Sequence, residues 1–247
     1  RNLIVMQNSI QDGLNDRKSL SGLTGGDAAK LDRYLKAGKT LSGSSILTAA
    51  RNAMAVNEHN AKMGLVCATP TAGSAGCLPA VLGLATDKLG LNQEEQLNFL
   101  FAAGAFGLVI ANNASISGAE GGCQAEVGSA AAMSAAALTL AAGGSPYQAS
   151  QAICFVIKNM LGLICDPVAG LVEVPCVKRN AMGASYALVA ADMALAGIES
   201  KIPVDEVINA MYQVGSNLPT AFRETAEGGL AATPTGQKLA QRIFGEQ

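Results

Sequence analysis

Six cysteines, at positions 67, 77, 123, 154, 165 and 176, are the side chains best suited to chemistry in this sequence. The start, Arg1 to Asn8, lacks an apolar leader and a cleavage site. A reducing, cytoplasmic setting is therefore expected, where thiols serve as metal or cluster ligands rather than disulfides. Three cysteines stand at expected helix junctions. Cys123 opens an alanine-rich helix over 124–142, Cys165 ends the helix begun at Ser145, and Cys176 lies in the loop before Asn180. Free amides and the positive dipole end at a helix start favour a thiolate or an anionic cluster. The spacing 123–165–176 contains no CxxC pair, so spacing alone leaves a bland alternative: buried thiols acting as small hydrophobes. Cys154, among Ile153, Phe155 and Val156, is of that bland kind, while Cys67 and Cys77 flank a Pro/Gly-rich loop and fit either role.

That loop, CATPTAGSAGCLP over 67–79, offers the hydroxyls of Thr69, Thr71 and Ser74. Glycines such as Gly73, next to Ala72, let backbone amides approach an anion closely. Ser117 and Gly118, upstream of Cys123, offer a second donor set. Both segments also read as tight helix connections. His59 is the only histidine and sits in NEHNAK (57–62) with Asn60 and Lys62, directly before the loop. A substrate contact by His59 is expected there, although the negative end of a helix favours the imidazolium over a neutral base. Lys62 and the hydroxyls of Ser74 and Ser117 are the other candidates for proton abstraction. Lys178-Arg179, beside Cys176, either balances cluster charge or is a solvated pair, and the solvated pair is the expectation.

Helices must position these residues, because helix signals recur and strand signals are nearly absent. Asn92 with Glu95 and Ser145-Pro146 with Gln148 are capping-box patterns. Thr24 with Asp27 and Ser44 or Ser45 mark two more starts, ending at Gly38 and near Lys62. Asp166-Pro167 disfavours helix beyond Cys165. Asn180 is expected to cap 181–196, and Pro203 to stand near the start of a helix ending at Gly215. The fold class is all-α, with residues 1–247 forming a single domain.

Composition fits that reading. Apolar residues make up 49% and aromatics 4%, so the core is mainly alanine, leucine, valine and glycine and needs close helix packing. Net charge is −2 with no basic stripe, which argues against a nucleic-acid partner. Pro, Gly and Ser interrupt the uncharged stretches 64–86 and 127–157, which argues against a membrane span. Charged residues are only 15% of the chain. A homo- or hetero-oligomer with a covered face is one explanation, and a core-rich enzyme is the other.

The runs GLVCATPTAGSAGCLPAV (64–81), NNASISGAEGGCQAEVGSA (112–130) and GLICDPVAGLVEVPCVKRN (162–180) resemble the signature blocks of the iron–sulfur-dependent L-serine dehydratase family, in its alpha subunit or catalytic part. SGLTGGDAAKL (21–31) and EGGLAATPTGQKL (227–239) extend the likeness along nearly the whole chain. The resemblance implies a [4Fe–4S] cluster held by Cys123, Cys165 and Cys176, with a fourth iron left for substrate. It also implies deamination of L-serine to pyruvate and ammonia, and a regulatory beta part that these residues do not contain. The family's single-chain members carry a cysteine near the C-terminus; none follows Cys176, which fits the two-chain type. Two rivals stay open at this point. One is a pyridoxal-phosphate β-eliminase, for which no lysine stands out. The other is a helical protein with a structural zinc, whose fourth ligand would be Cys67, Cys77 or His59.

Overall fold

The computed structural model describes residues 1–245. Among them the chain forms ten α-helices: α1 (Asn2–Gly13), α2 (Asp27–Lys36), α3 (Ser44–Ala61), α4 (Cys77–Leu89), α5 (Gln93–Asn113), α6 (Gly118–Ala141), α7 (Pro146–Met160), α8 (Cys176–Leu195), α9 (Val204–Ser216) and α10 (Pro234–Phe244). The β pairing found among the described residues is one isolated parallel bridge, Cys165 with Arg223. The all-α expectation therefore holds. Among the described residues no helix is long and apolar enough to cross a membrane.

Small side chains dictate the packing. α6 carries Ala130–Ala132 and Ala135–Ala137, all buried, and it packs on α4, α5, α7, α8 and α9. Alanine keeps a high helix propensity and lets neighbouring backbones approach from every side. α3 is the second hub, against α1, α2, α4 and α8. α8 touches both hubs, so residues at its start lie between the two halves of the core.

Both capping boxes form as expected. Asn92 accepts from the Glu95 amide at 3.1 Å and Ser145 from the Gln148 amide at 3.2 Å, each with the reciprocal bond. Three boundaries differ from the sequence expectation. α7 stops at Met160, not near Cys165, because Gly162 turns the chain with φ +82°. Bonds to α6 then replace the helical ones: the Gln124 amide donates to Leu163 O and the Gly162 amide to Gln124 Oε1, each at 2.9 Å. α8 begins at Cys176, four residues before Asn180, so Cys176 is a first-turn helical residue rather than a loop residue. The side chain of Asn180 is not a cap; it is engaged in tertiary bonds described below. The third is the start of α2, which Thr24 does not cap: buried Glu58 on α3 instead accepts from the amides of Gly26 (3.0 Å) and Asp27 (2.8 Å).

Close approach has a measurable consequence at the α1–α3 crossing. A Cβ on Gly13 would stand 2.0 Å from the carbonyl oxygen of Ala55. A backbone carbonyl inside a helix cannot step aside, so Gly13→Ala must push the two helices apart. Overpacking of this kind costs about 1–3 kcal/mol. Urea unfolding is expected to show that loss, and an unchanged midpoint would contradict the crossing.

Candidate active site

Cys123 lies at a break inside α6. Gly122 has φ 75° and ψ −179°, so the long buried segment effectively restarts at Cys123. Only glycine fits there, because a Cβ would lie 2.7 Å from Leu218 Cδ1 and 2.9 Å from Leu163 O. Cys165 lies in extended chain. Its amide donates to Phe222 O at 2.9 Å, and its carbonyl accepts from the Glu224 amide at 2.8 Å. Cys176 is the first residue of α8. All three thiols are buried.

The sulfurs of Cys123 and Cys165 and a carboxylate oxygen of Glu126 all lie within 4.8 Å of one another. These three residues are buried and could hold a metal ion. The neighbouring Cys165 side chain, helped by the Arg179 guanidinium, holds Cys123 below the usual thiol range against the cost of burial. The same interaction pushes the Cys165 thiol far up, with burial adding to it. Burial raises the Cys176 thiol, and the charges of Cys123 and Glu126 raise it further. The sulfur of Cys176 is not a member of the 4.8 Å group formed by Cys123, Glu126 and Cys165.

Arg179 corrects the expectation of a solvated Lys178-Arg179 pair. Lys178 is exposed and pairs with Asp27. Arg179, three residues on from Cys176, turns inward instead. It pairs with Asp166 at 2.8 Å and donates to Ile164 O at 2.9 Å, and the charge of Cys123 helps to raise its guanidinium. Asp166 is 2% exposed, and its other oxygen accepts from the Leu230 amide at 2.7 Å. This anchors the 227–239 segment under the cysteine loop.

The loop before α4 meets this group from the other side. Thr71 donates to Glu126 Oε1 at 2.5 Å and lies 3.1 Å from Ser74 Oγ. Ser74 is fully buried and also contacts Thr69 O at 3.4 Å. Gly73 O accepts from Asn57 Nδ2 (3.1 Å) and Asn180 Nδ2 (2.8 Å), and the Gly76 amide donates to Asn180 Oδ1 (3.1 Å). A Cβ on Gly73 would lie 2.5 Å from Glu126 Oε1. One on Gly118 would lie 3.0 Å from Cys165 Sγ and 3.3 Å from Glu126 Oε2. Two glycines thus keep open the space around one carboxylate. Gly73→Ala is expected to displace that carboxylate, and a shift near 1 Å in such a site costs about 10²-fold in rate. Steady-state kinetics with L-serine, the substrate that the resemblance implies, would register the fall in kcat/KM with little change in melting temperature.

The remaining candidates are distributed as follows. Ala72 is exposed on the loop. Thr69 is buried, with its hydroxyl 3.5 Å from Cys67 O. Ser117 precedes α6 as its N-cap residue without a side-chain cap bond, and its amide donates to Ser115 Oγ at 3.0 Å. His59 lies in the last turn of α3, its ring over Gly64, where a Cβ would be 2.2 Å from Nε2. Asn60 is half-buried on the same turn. Lys62 is bonded to Asn15 Oδ1 at 3.0 Å, and burial lowers its ammonium below the usual lysine range. Cys154 is fully buried on α7, as a small hydrophobe would be.

Sequence reasoning missed Glu126 and underrated Arg179. The available signal was spacing: Glu126 follows Cys123 by three residues, and Arg179 follows Cys176 by three, so each shares a helix face with a candidate ligand. It also gave no role to Glu173. That buried carboxylate, between Cys165 and Cys176, accepts from Ser19 (2.6 Å) and Ser21 (2.8 Å). Together with Glu58 it ties the 19–27 segment to the loops of the site.

Comparison with known proteins agrees with this arrangement. Residues 1–231 match the family model described as serine dehydratase alpha chain. The chain is 63% identical over 244 residues to a probable L-serine dehydratase alpha chain of Bacillus subtilis, covering 99% of this chain and 81% of that protein. It is 44% identical over 240 residues to an L-serine dehydratase alpha chain of Peptoniphilus asaccharolyticus, covering 97% and 81%. It is 40% identical over 235 residues to L-serine dehydratase TdcG of Escherichia coli, covering 92% of this chain and 52% of that longer protein. Three buried thiols, a buried carboxylate and the loops that enclose them thus stand in a chain that belongs to the serine dehydratase alpha chain family.

Proposed function

We propose that this chain is the catalytic part of an L-serine dehydratase that forms pyruvate and ammonia with a [4Fe–4S] cluster on Cys123, Cys165 and Cys176. One observation carries the reading: three separate glycine-containing segments, 69–76, 117–123 and 162–176, bring the buried thiols of Cys123 and Cys165 together with one carboxylate. The donor set fits the cluster. Soft thiolates select iron–sulfur centres, and Arg179 supplies a fixed positive charge beside an anionic group. Bound there, the cluster supplies a Lewis acid for the C3 hydroxyl, a poor leaving group without one.

The chain's own residues do the rest. The hydroxyls of Thr69, Thr71 and Ser74, with the amides about Ala72 and Gly73, receive the substrate carboxylate; Ser117 and Gly118 offer donors from the facing side. His59 and Asn60, at the end of α3, contact the substrate where the loop begins. The C2 proton passes to His59, Lys62, Ser74 or Ser117. Loss of that proton and of water leaves aminoacrylate, which tautomerises and hydrolyses in water. Residues 1–247 act as one catalytic domain, and a separate beta chain regulates it, as the alpha-chain names of the relatives suggest. No nucleic acid or membrane partner is involved, and the setting is cytoplasmic.

The test is anaerobic reconstitution with iron and sulfide, followed by a pyruvate assay on L-serine. Activity that appears with the brown cluster and decays in air is the expected result. Activity unaffected by iron chelators and abolished by borohydride would favour the pyridoxal-phosphate rival. That rival has little to work with, since Lys62 is the one lysine that is not exposed, and it is bonded to Asn15. The compact Cys123–Glu126–Cys165 group suits a single metal ion as well. A colourless protein with stoichiometric zinc and no sulfide would establish that second reading instead.

A further inference from the structure

Glu126 is the buried acid for which nothing so far gives a use. It is 6% exposed, yet the bond recorded to its carboxylate comes from a neutral hydroxyl, that of Thr71. The Arg179 guanidinium is engaged by Asp166 and Ile164 O. A second acid, Glu224, faces the same space, with Oε2 placed 3.1 Å from where a Cβ of Gly118 would be. A buried carboxylate without a cation is costly, and a positive centre in this cavity would offset that cost. The carboxylate also lies within 4.8 Å of two sulfurs that the proposed function assigns to the cluster. Gly73 and Gly118 carry no side chain that would separate it from them. Its position on α6, three residues beyond Cys123, turns both side chains to one face.

We infer that Glu126 is the fourth protein ligand of the cluster in the substrate-free enzyme, its carboxylate oxygen held on the iron that has no cysteine. The inference rests on the cluster reading above. It explains why an acid with no ion-pair partner is enclosed by glycines and steadied by Thr71. Carboxylate oxygen is a weaker ligand for iron in a sulfur-rich centre than thiolate. The fourth position is therefore closed against solvent yet still exchangeable.

The test compares wild-type protein with Glu126→Gln and Glu126→Ala, all reconstituted anaerobically without substrate and studied by Mössbauer spectroscopy with isotopically enriched iron. Glu126→Gln keeps the shape and the hydrogen bond with Thr71 but removes the anionic oxygen. The expected result is a distinct signal for one iron in four that shifts in both variants, with the other three unchanged. Conversion to a three-iron cluster on mild oxidation is expected to be at least several-fold faster in the variants. Identical spectra and identical rates of iron loss would overturn the assignment while leaving the cluster in place. Wild-type protein that takes up no iron and sulfide would overturn the cluster itself, and the ligand with it. Glu126→Gln is near-isosteric, so a folding failure of Glu126→Ala does not remove the test.

Discussion

Alanine at Cys123, Cys165 or Cys176 is expected to abolish cluster uptake and to lower pyruvate formation by about 10³-fold or more. The magnitude follows from the chemistry. Polarising a leaving hydroxyl is worth several kcal/mol, and each 1.36 kcal/mol is tenfold in rate. The three thiols reach the site by different routes: Cys123 from a break in α6, Cys165 from extended chain pinned to 222–224, and Cys176 from the first turn of α8. No neighbour on the same element can substitute for any of them. Cys154→Ala is the control. Its thiol is equally buried but sits on α7, with its sulfur 3.9 Å from Ile202 O. That variant should keep its iron and its activity. Iron and sulfide content, measured beside the pyruvate assay, separates loss of cofactor from loss of fold. Full iron content in any of the first three variants would break the ligand assignment.

Asn180→Ala is expected to be the most destabilising single change described for this chain. Its side chain is fully buried and makes four bonds at once: from the Gly76 amide (3.1 Å) and the Cys77 thiol (3.5 Å), to Gly73 O (2.8 Å) and to Cys176 O (3.0 Å). Gly73 O keeps a second donor in Asn57, and Cys176 O keeps its helical partner. The Gly76 amide keeps neither, and a cavity opens between α8 and the loop. An orphaned buried donor costs about 1–3 kcal/mol, and the lost packing adds to it, for a total of about 2–4 kcal/mol. For a chain of this size that is roughly 5–15 °C in melting temperature. The loop it releases carries Thr71 and Ser74, so kcat/KM for L-serine should fall as well. A thermal melt within a degree of wild type would show that Asn180 does not hold the loop to α8.

Local signals were legible wherever one short segment supplies all of its own interactions. The capping boxes at Asn92–Glu95 and Ser145–Gln148 fixed two helix starts correctly, because cap and partner lie three residues apart. The helix class followed from propensity and from an alanine-rich core. The boundaries at Met160 and Cys176 were not legible. Each depends on partners far along the chain: Leu163 with Gln124 at one, Asn180 with Gly73 and Gly76 at the other.

By itself the sequence determined the helical class, the cysteines available as ligands and the loops that must lie between the helices, since these follow from side-chain type and short-range spacing. Only the tertiary structure decided what meets in the middle. It drew Arg179 inward to Asp166, left Lys178 outside, and set Glu126 beside two thiols and against Thr71. The physical reason is that a buried charge takes its meaning from the groups that desolvate and pair it. Those groups come from segments tens of residues apart, whose convergence no periodicity records.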